Sequence, residues 1–253
     1  MKNKKLLLGL LVILLLSLFS QNLYAQDKNL AKVYYVSVKP GHGADFESAL
    51  KKHAEWRKQA GDPWTWYVYQ VVNGQNLGDF VIRSGNHTWA DLDNYEDFLA
   101  KGAVDFNKNV SPHIASISNA ITSVDTASVN WPSNEEEANL ISVTTFHLKP
   151  GHEWAFSQVV HKFDKAIKEN NRKEHYAFIW NVNGGEGSRV SLVQPYKNWA
   201  AMQEPKESFG GFVHRVFGPY ESQKLWDDFN AAVSCSESVV VKMRTDLSVL
   251  PDK

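Results

Sequence analysis

From Lys32 to Lys39 the chain reads KVYYVSVK, and from Leu140 to Lys149 it reads LISVTTFHLK. Both are short runs rich in β-branched and aromatic residues, which predicts strands. Pro-Gly stops each run, at Pro40-Gly41 and Pro150-Gly151. The apolar spacing then changes from two to three or four. Phe46, Ala49, Leu50, His53 and Arg57 form one stripe, and Phe156, Val159, Val160, Phe163 and Ile167 the other. That periodicity predicts amphipathic helices. WTWYVYQVV and HYAFIWNVN return to strand character, and each meets Asn-Gly, a strong hairpin signal. DFVIRS and SRVSLVQ are third strands, Trp89 and Trp199 open irregular second helical regions, and SVDTASV and ESVVVKM are fourth strands. The order β-α-β-β-α-β thus occurs twice, and it is that of a ferredoxin-like unit.

The two halves also match residue by residue. A shift of 110 positions places Val33 on Val143, Phe46 on Phe156, Asn73-Gly74 on Asn183-Gly184 and Trp89-Ala90 on Trp199-Ala200. Such a period marks a duplicated unit. The polar, Pro-containing stretch around NWPSNEEEAN reads as the join. The expected organisation is a leader at residues 1–25, a first repeat at 26–130, a linker at 131–139 and a second repeat at 140–253.

Alternation within the strands sorts their faces. Trp64, Trp66 and Val68, like Tyr176, Phe178 and Trp180, belong under the helices. A sheet with one solvated face shows polar residues on the other. Here the second face is aromatic and mixed, so the two sheets are expected to face each other and enclose a core or cavity. Pooling that face gives Tyr35, Tyr67, Tyr69, Arg83, His147, His175, Asn181 and Arg189. An apolar and aromatic surface with a few convergent polar groups is the usual form of a small-molecule site. A barrel filled by these same side chains is the structural alternative. The copies differ most here: Ser37 stands against His147 and Thr65 against His175.

With its paired strand–Lys-Pro-Gly-His–helix openings at 39–42 and 149–152, its Asn-Gly hairpins and its tryptophan at each second helix, the chain resembles the dimeric α/β-barrel superfamily in a tandem-fused form. The resemblance covers about residues 30 to 250. It implies an α+β fold whose two sheets form an intramolecular barrel around a ligand cavity. Similar units occur in antibiotic-biosynthesis-type monooxygenases, haem-degrading enzymes, stress-responsive barrels and NIPSNAP-like proteins, so the resemblance specifies fold more than activity.

Composition narrows the setting. Lys2, Lys4 and Lys5 precede the apolar run Leu6–Phe19, and Ala25 offers a small residue at a cleavage point. The run is about 14 residues, short of the roughly 20 a spanning helix needs. It reads as an export signal, leaving a periplasmic or secreted protein with no stable membrane span. Its loss removes three lysines, so 27 basic side chains become 24 against 28 acidic ones, a formal charge of −4. There is no basic block interleaved with aromatics, which argues against nucleic acid. Cys235 is the only cysteine, so no internal disulfide forms, and it reads as a small buried residue.

His42 and His152 have no ligand-spaced companions in the sequence, so they read as turn residues and no metal is expected. Three ligand readings stay open. One is a binding module for a small apolar or aromatic molecule. Another is a cofactor-independent monooxygenase-like enzyme, with His147 or His175 as the base toward a phenolic or enol-like substrate. The third is haem binding, with His214 in GGFVHRVFG as the axial candidate. No cofactor is demanded by the sequence. A monomer and a further association of barrels are both compatible with the fusion.

Overall fold

The computed structural model describes residues 28–132 and 138–250. The segment carrying the export expectation and five residues of the expected linker lie outside them.

The first repeat runs β1 (Leu30–Val38), α1 (Gly43–Gln59), β2 (Tyr67–Gly74), β3 (Phe80–His87), α2 (Trp89–Asn94), α3 (Glu96–Asn109) and β4 (Ile114–Asn130). The second runs β5 (Leu140–Leu148), α4 (Glu153–Glu169), β6 (Tyr176–Asn183), β7 (Arg189–Tyr196), α5 (Phe209–Ala232) and β8 (Val233–Met243). The second helical regions are irregular in both. In the first, Thr88 caps α2 in a reciprocal capping box with Asp91. In the second, α5 breaks at Gly218, whose φ of 74° precedes Pro219.

All eight strands form one closed antiparallel barrel in the order β1-β3-β2-β8-β5-β7-β6-β4. Within it each repeat keeps the ferredoxin-like order, with its fourth strand beside its first. The fourth strands also close the barrel: β4 pairs with β6, and β8 with β2. β4 can do this because it starts at Ile114, well before the stretch at Ser123 that its sequence pattern marks. Its early residues pair with β1 from Val38↔Ile114 onward, and its later residues cross to the other repeat. The two sheets therefore join edge to edge, which leaves no open strand edge between the repeats.

Three apolar clusters follow from this. Leu50 and Ala54 of α1 pack onto Trp66, Val68 and Phe80 of the sheet. Phe156, Val160 and Phe163 of α4 pack onto Phe178 and Val190 of the sheet, with Phe212 and Leu225 from α5. Inside the barrel, Val71, Ile141, Ala177, Val193 and Val241 form a third, purely aliphatic group. Among the described residues no helix is long and apolar enough to cross a membrane.

Candidate functional site: the barrel cavity

Strand alternation sends every second side chain inward. On β2 these are Tyr67, Tyr69 and Val71; on β3, Val81 and Arg83, with Asp79 just before the strand; on β6, Ala177, Ile179 and Asn181; on β7, Arg189, Ser191 and Val193. Together with residues of the other strands they line a cavity of about 860 Å³. That lies within the roughly 300–1,000 Å³ typical of small-molecule sites. Its wall is graded. Ile141 and His147 stand near opposite ends of β5, Arg189 opens β7 with Val193 at the middle of that strand, and His147 pairs in register with Arg189. The aliphatic cluster thus forms one part of the wall, and His147, Arg189, Asn181 and Glu237 another.

Tyr35, Tyr67, Tyr69, Arg83, His147, Asn181 and Arg189 all line this cavity. Tyr35 leaves 46% of its surface uncovered and borders the cavity. Burial raises its phenol pKa, and the nearby Arg189 guanidinium only partly opposes this. Arg83 is more deeply desolvated: burial lowers its pKa, and Tyr69 and Tyr67 only partly oppose this. Among the described residues, neither Arg83 nor Arg189 has a carboxylate within ion-pair distance. Three acids line the cavity: Asp79 accepts a 2.5 Å hydrogen bond from Ser37, Glu237 Oε1 stands 3.5 Å from His147 Nε2, and Glu186 lies in the exposed β6–β7 turn. Asn181 donates to the Gly184 carbonyl at 2.6 Å, which fixes its amide.

The remaining sequence candidates lie elsewhere. His175 shares the inward parity of Ala177 and Ile179, but it precedes β6 and lies within hydrogen-bonding distance of the Asn130 carbonyl, Nδ1 to O 3.2 Å. It does not line the cavity. His214 is exposed on α5, with Nδ1 3.4 Å from Ser222 Oγ, and it lines neither this cavity nor a smaller one beneath α1. That position does not fit an axial haem ligand, which must face an enclosed macrocycle site. The smaller cavity, about 200 Å³, is bordered by His53. His53 Nδ1 is 2.7 Å from Asp105, and its Nε2 accepts from Arg57 at 3.2 Å, so both ring nitrogens are engaged. Cys235 is exposed, not buried; it lies near the start of β8, in register with His147.

One grouping was not legible in the sequence. His42 and His113 bring their Nδ1 atoms to 3.1 Å, and Asp45 completes a cluster whose ligand-type atoms lie within 4.8 Å of one another. The signal that could have found it is the β1–β4 pairing. It is a long-range register that local patterning does not contain.

No family model matches the chain, and no curated protein matches it by sequence. Solved structures match its fold. A structure from Lactobacillus acidophilus, provisionally described as a monooxygenase, superposes with a TM-score of 0.53 at 10% identity, covering 89% of this chain and 100% of the other. One from Fusobacterium nucleatum, described in the same terms, gives 0.53 at 11% identity over 87% and 93%. Chlorite dismutase from Candidatus Nitrospira defluvii, in complex with imidazole, gives 0.51 at 7% identity over 90% and 95%. The chain thus has the barrel fold that these structures share. At such identities the likeness extends to fold and not to chemistry.

Proposed function

We propose that the chain is a cofactor-independent, monooxygenase-like enzyme acting on a small aromatic molecule that reacts as its anion. The observation that carries this reading is the pair Arg83 and Arg189, two guanidiniums without carboxylate partners in a cavity whose wall combines tyrosines and an aliphatic cluster with a polar part around His147. An unpaired charge in a poorly hydrated site is costly, and an anionic ligand relieves that cost through charge-assisted hydrogen bonds. The same field lowers the pKa of a bound phenol or enol.

His147 supplies the base. Its ring is neutral when it takes the substrate proton, and Glu237 is positioned to stabilise the imidazolium that results. The carbanion-like enolate can then be oxidised by dioxygen. For an activated methylene, one methylene group and one dioxygen give one carbonyl group and one water. One oxygen atom becomes the carbonyl oxygen, and the other leaves as water with the two methylene hydrogens. All electrons come from the substrate, and no external reductant is used. Tyr35, Tyr67 and Tyr69 offer flat aromatic contacts and phenolic donors. The barrel shared with structures described as monooxygenases is compatible with this chemistry. Lys2 to Ala25 supports placing the activity outside the cytoplasm after export.

The test compares 2-naphthoate with its neutral isostere 2-naphthamide by tryptophan fluorescence, then follows oxygen uptake with anthrone. The naphthoate should bind at least tenfold more tightly. Arg83→Met and Arg189→Met should erase the difference, and His147→Ala should abolish oxygen uptake. Equal binding of acid and amide, with no oxygen uptake, would sink the reading.

A further inference from the structure

We infer that His42, Asp45 and His113 form a binding site for a divalent first-row transition ion such as Zn2+, clamping the β1–α1 turn to the start of β4. The site is outside the barrel cavity and does not depend on its proposed chemistry.

The geometry begins with the backbone. Pro40-Gly41 turns the chain, and His42 becomes the N-cap residue of α1 without using its side chain to cap. Asp45 lies one turn further on the helix. His113 arrives from the other end of the repeat, because Lys39 N–H donates to the His113 carbonyl at 2.9 Å as β4 begins. The result is two imidazoles and a carboxylate, partly open to solvent.

The spacing suits an ion. The Nδ1 atoms are 3.1 Å apart. Two nitrogens on a tetrahedral zinc, each bonded at about 2.0–2.1 Å, are separated by roughly 3.3 Å. Small side-chain adjustments therefore convert this arrangement into a ligand set. Two nitrogens, one oxygen and a fourth position open to water suit zinc, nickel or copper better than calcium or magnesium. In the metal-free chain one Nδ1–H donates to the other Nδ1. A divalent ion takes the place of that hydrogen bond: the donating ring carries its proton on Nε2 instead, which leaves both Nδ1 lone pairs for the ion. The α1 N-terminus and Lys39, whose Nζ donates to the Pro112 carbonyl at 2.7 Å, both oppose a cation. The Asp45 carboxylate offsets that field. The affinity should accordingly be lower than that of a closed four-ligand site.

The second repeat is a built-in control. Lys149 N–H donates to the Ala232 carbonyl at 2.8 Å, and Lys149 Nζ to the Ala231 carbonyl at 2.8 Å, reproducing the contacts of Lys39. His152 occupies the place of His42 and is likewise the N-cap residue of its helix. The places of Asp45 and His113 are taken by Ala155 and Ala232. The turn thus closes without the other two ligands, so turn geometry alone does not account for them.

The experiment uses untagged, chelator-stripped mature chain, titrated with Zn2+ by calorimetry and with Co2+ by visible absorption. One equivalent should bind, a tetrahedral Co2+ band should appear, and the melting temperature should rise on saturation. His113→Ala and Asp45→Ala, which install the residues of the second repeat, should weaken binding at least tenfold while leaving the metal-free melting temperature nearly unchanged. His152→Ala should bind like the parent. Absence of saturable binding, unchanged affinity in His113→Ala, or loss in His152→Ala would each overturn the assignment.

Discussion

Gly85 leaves the space that the guanidinium of Arg83 occupies: a methyl group on Gly85 would stand 2.6 Å from Arg83 Nη1. The two residues point inward from the same strand, so the missing side chain lets the arginine lie along the cavity wall. The backbone of Gly85 is not in the left-handed region, so Gly85→Ala should fold normally. It should nevertheless displace the guanidinium and weaken 2-naphthoate binding by about tenfold, the loss of one charge-assisted hydrogen bond of ~1.5 kcal/mol. Gly185 plays the same part for Arg189, where the methyl group would overlap Nη2. There φ is +84°, so Gly185→Ala should also cost ~1–2 kcal/mol of stability. Fluorescence titration and urea melts read both effects. Naphthoate affinity unchanged in Gly85→Ala would mean that Arg83 does not hold the anion.

Asp62 is the centre of a buried polar network. It accepts from Arg57 Nη1 at 2.8 Å, Tyr95 Oη at 2.9 Å, the Trp64 N–H at 2.9 Å and Trp66 Nε1 at 3.2 Å. Burial raises the Tyr95 phenol pKa far above its usual value, so the tyrosine stays a donor. Asp62→Ala leaves the Arg57 charge unpaired and should cost ~3–5 kcal/mol. Glu169→Ala, which breaks an exposed pair with Lys165, should change stability by less than about 1 kcal/mol. Comparable losses in the two variants would show the network to be hydrated in solution.

Much of this molecule is written in its local pattern. The duplicated strand–helix order, the hairpins and the inward faces of Tyr67, Arg83 and Arg189 all follow from periodicity and a 110-residue shift. What escapes is set by register between distant segments. His175 has inward parity but falls beyond the end of its strand, and no periodicity marks where a strand stops. His113 meets His42 only because β4 starts early and pairs with β1. His53, on a stripe that is apolar except for it and Arg57, is legible as a hydrogen-bonded core residue, but its partner Asp105 is not.

His53 and His87 make the fold acid-sensitive. Burial is the largest influence on each and holds both imidazoles below their ordinary value, in His53 even against the hydrogen bond to Asp105. His87 is stacked on Trp64 with ring centres 3.7 Å apart and shares a 2.8 Å hydrogen bond with Ser84. Both are therefore neutral in the fold, whereas in the unfolded chain they take up protons near pH 6.5. Their contribution is complete above that value and is lost as pH falls through the lower folded values. Melting temperature should be level from about pH 8 to 7 and fall between about pH 6.5 and 5. The double variant His53→Gln, His87→Gln should flatten that fall. An unaltered slope would assign the acid sensitivity to carboxylates instead.

The end of the second repeat completes the core of the first. Beyond β8 the chain returns to α1 and β2, where Leu247 and Val249 are buried among Trp66, Val68 and Leu50. Trp66 and Val249 exchange two backbone hydrogen bonds of 2.8 Å, and Ser248 Oγ accepts from the Val68 N–H at 2.9 Å. Arg244 adds an ion pair to Glu47 at 2.7 Å and a hydrogen bond to Gln70 at 3.1 Å. Leu247→Ala should cost ~2–5 kcal/mol, since it empties a packed site under α1. Ser248→Ala should cost ~1–3 kcal/mol by leaving the Val68 N–H unsatisfied. Glu47→Gln, at a partly exposed pair, should cost less than about 1 kcal/mol. Urea denaturation followed by tryptophan fluorescence reads all three, since Trp64 and Trp66 sit in the affected cluster. Unfolding should stay a single transition, because the tail ties the two repeats into one cooperative unit. Two separate transitions in the parent chain, or a Leu247→Ala variant as stable as the parent, would mean that the first repeat holds its core without the tail.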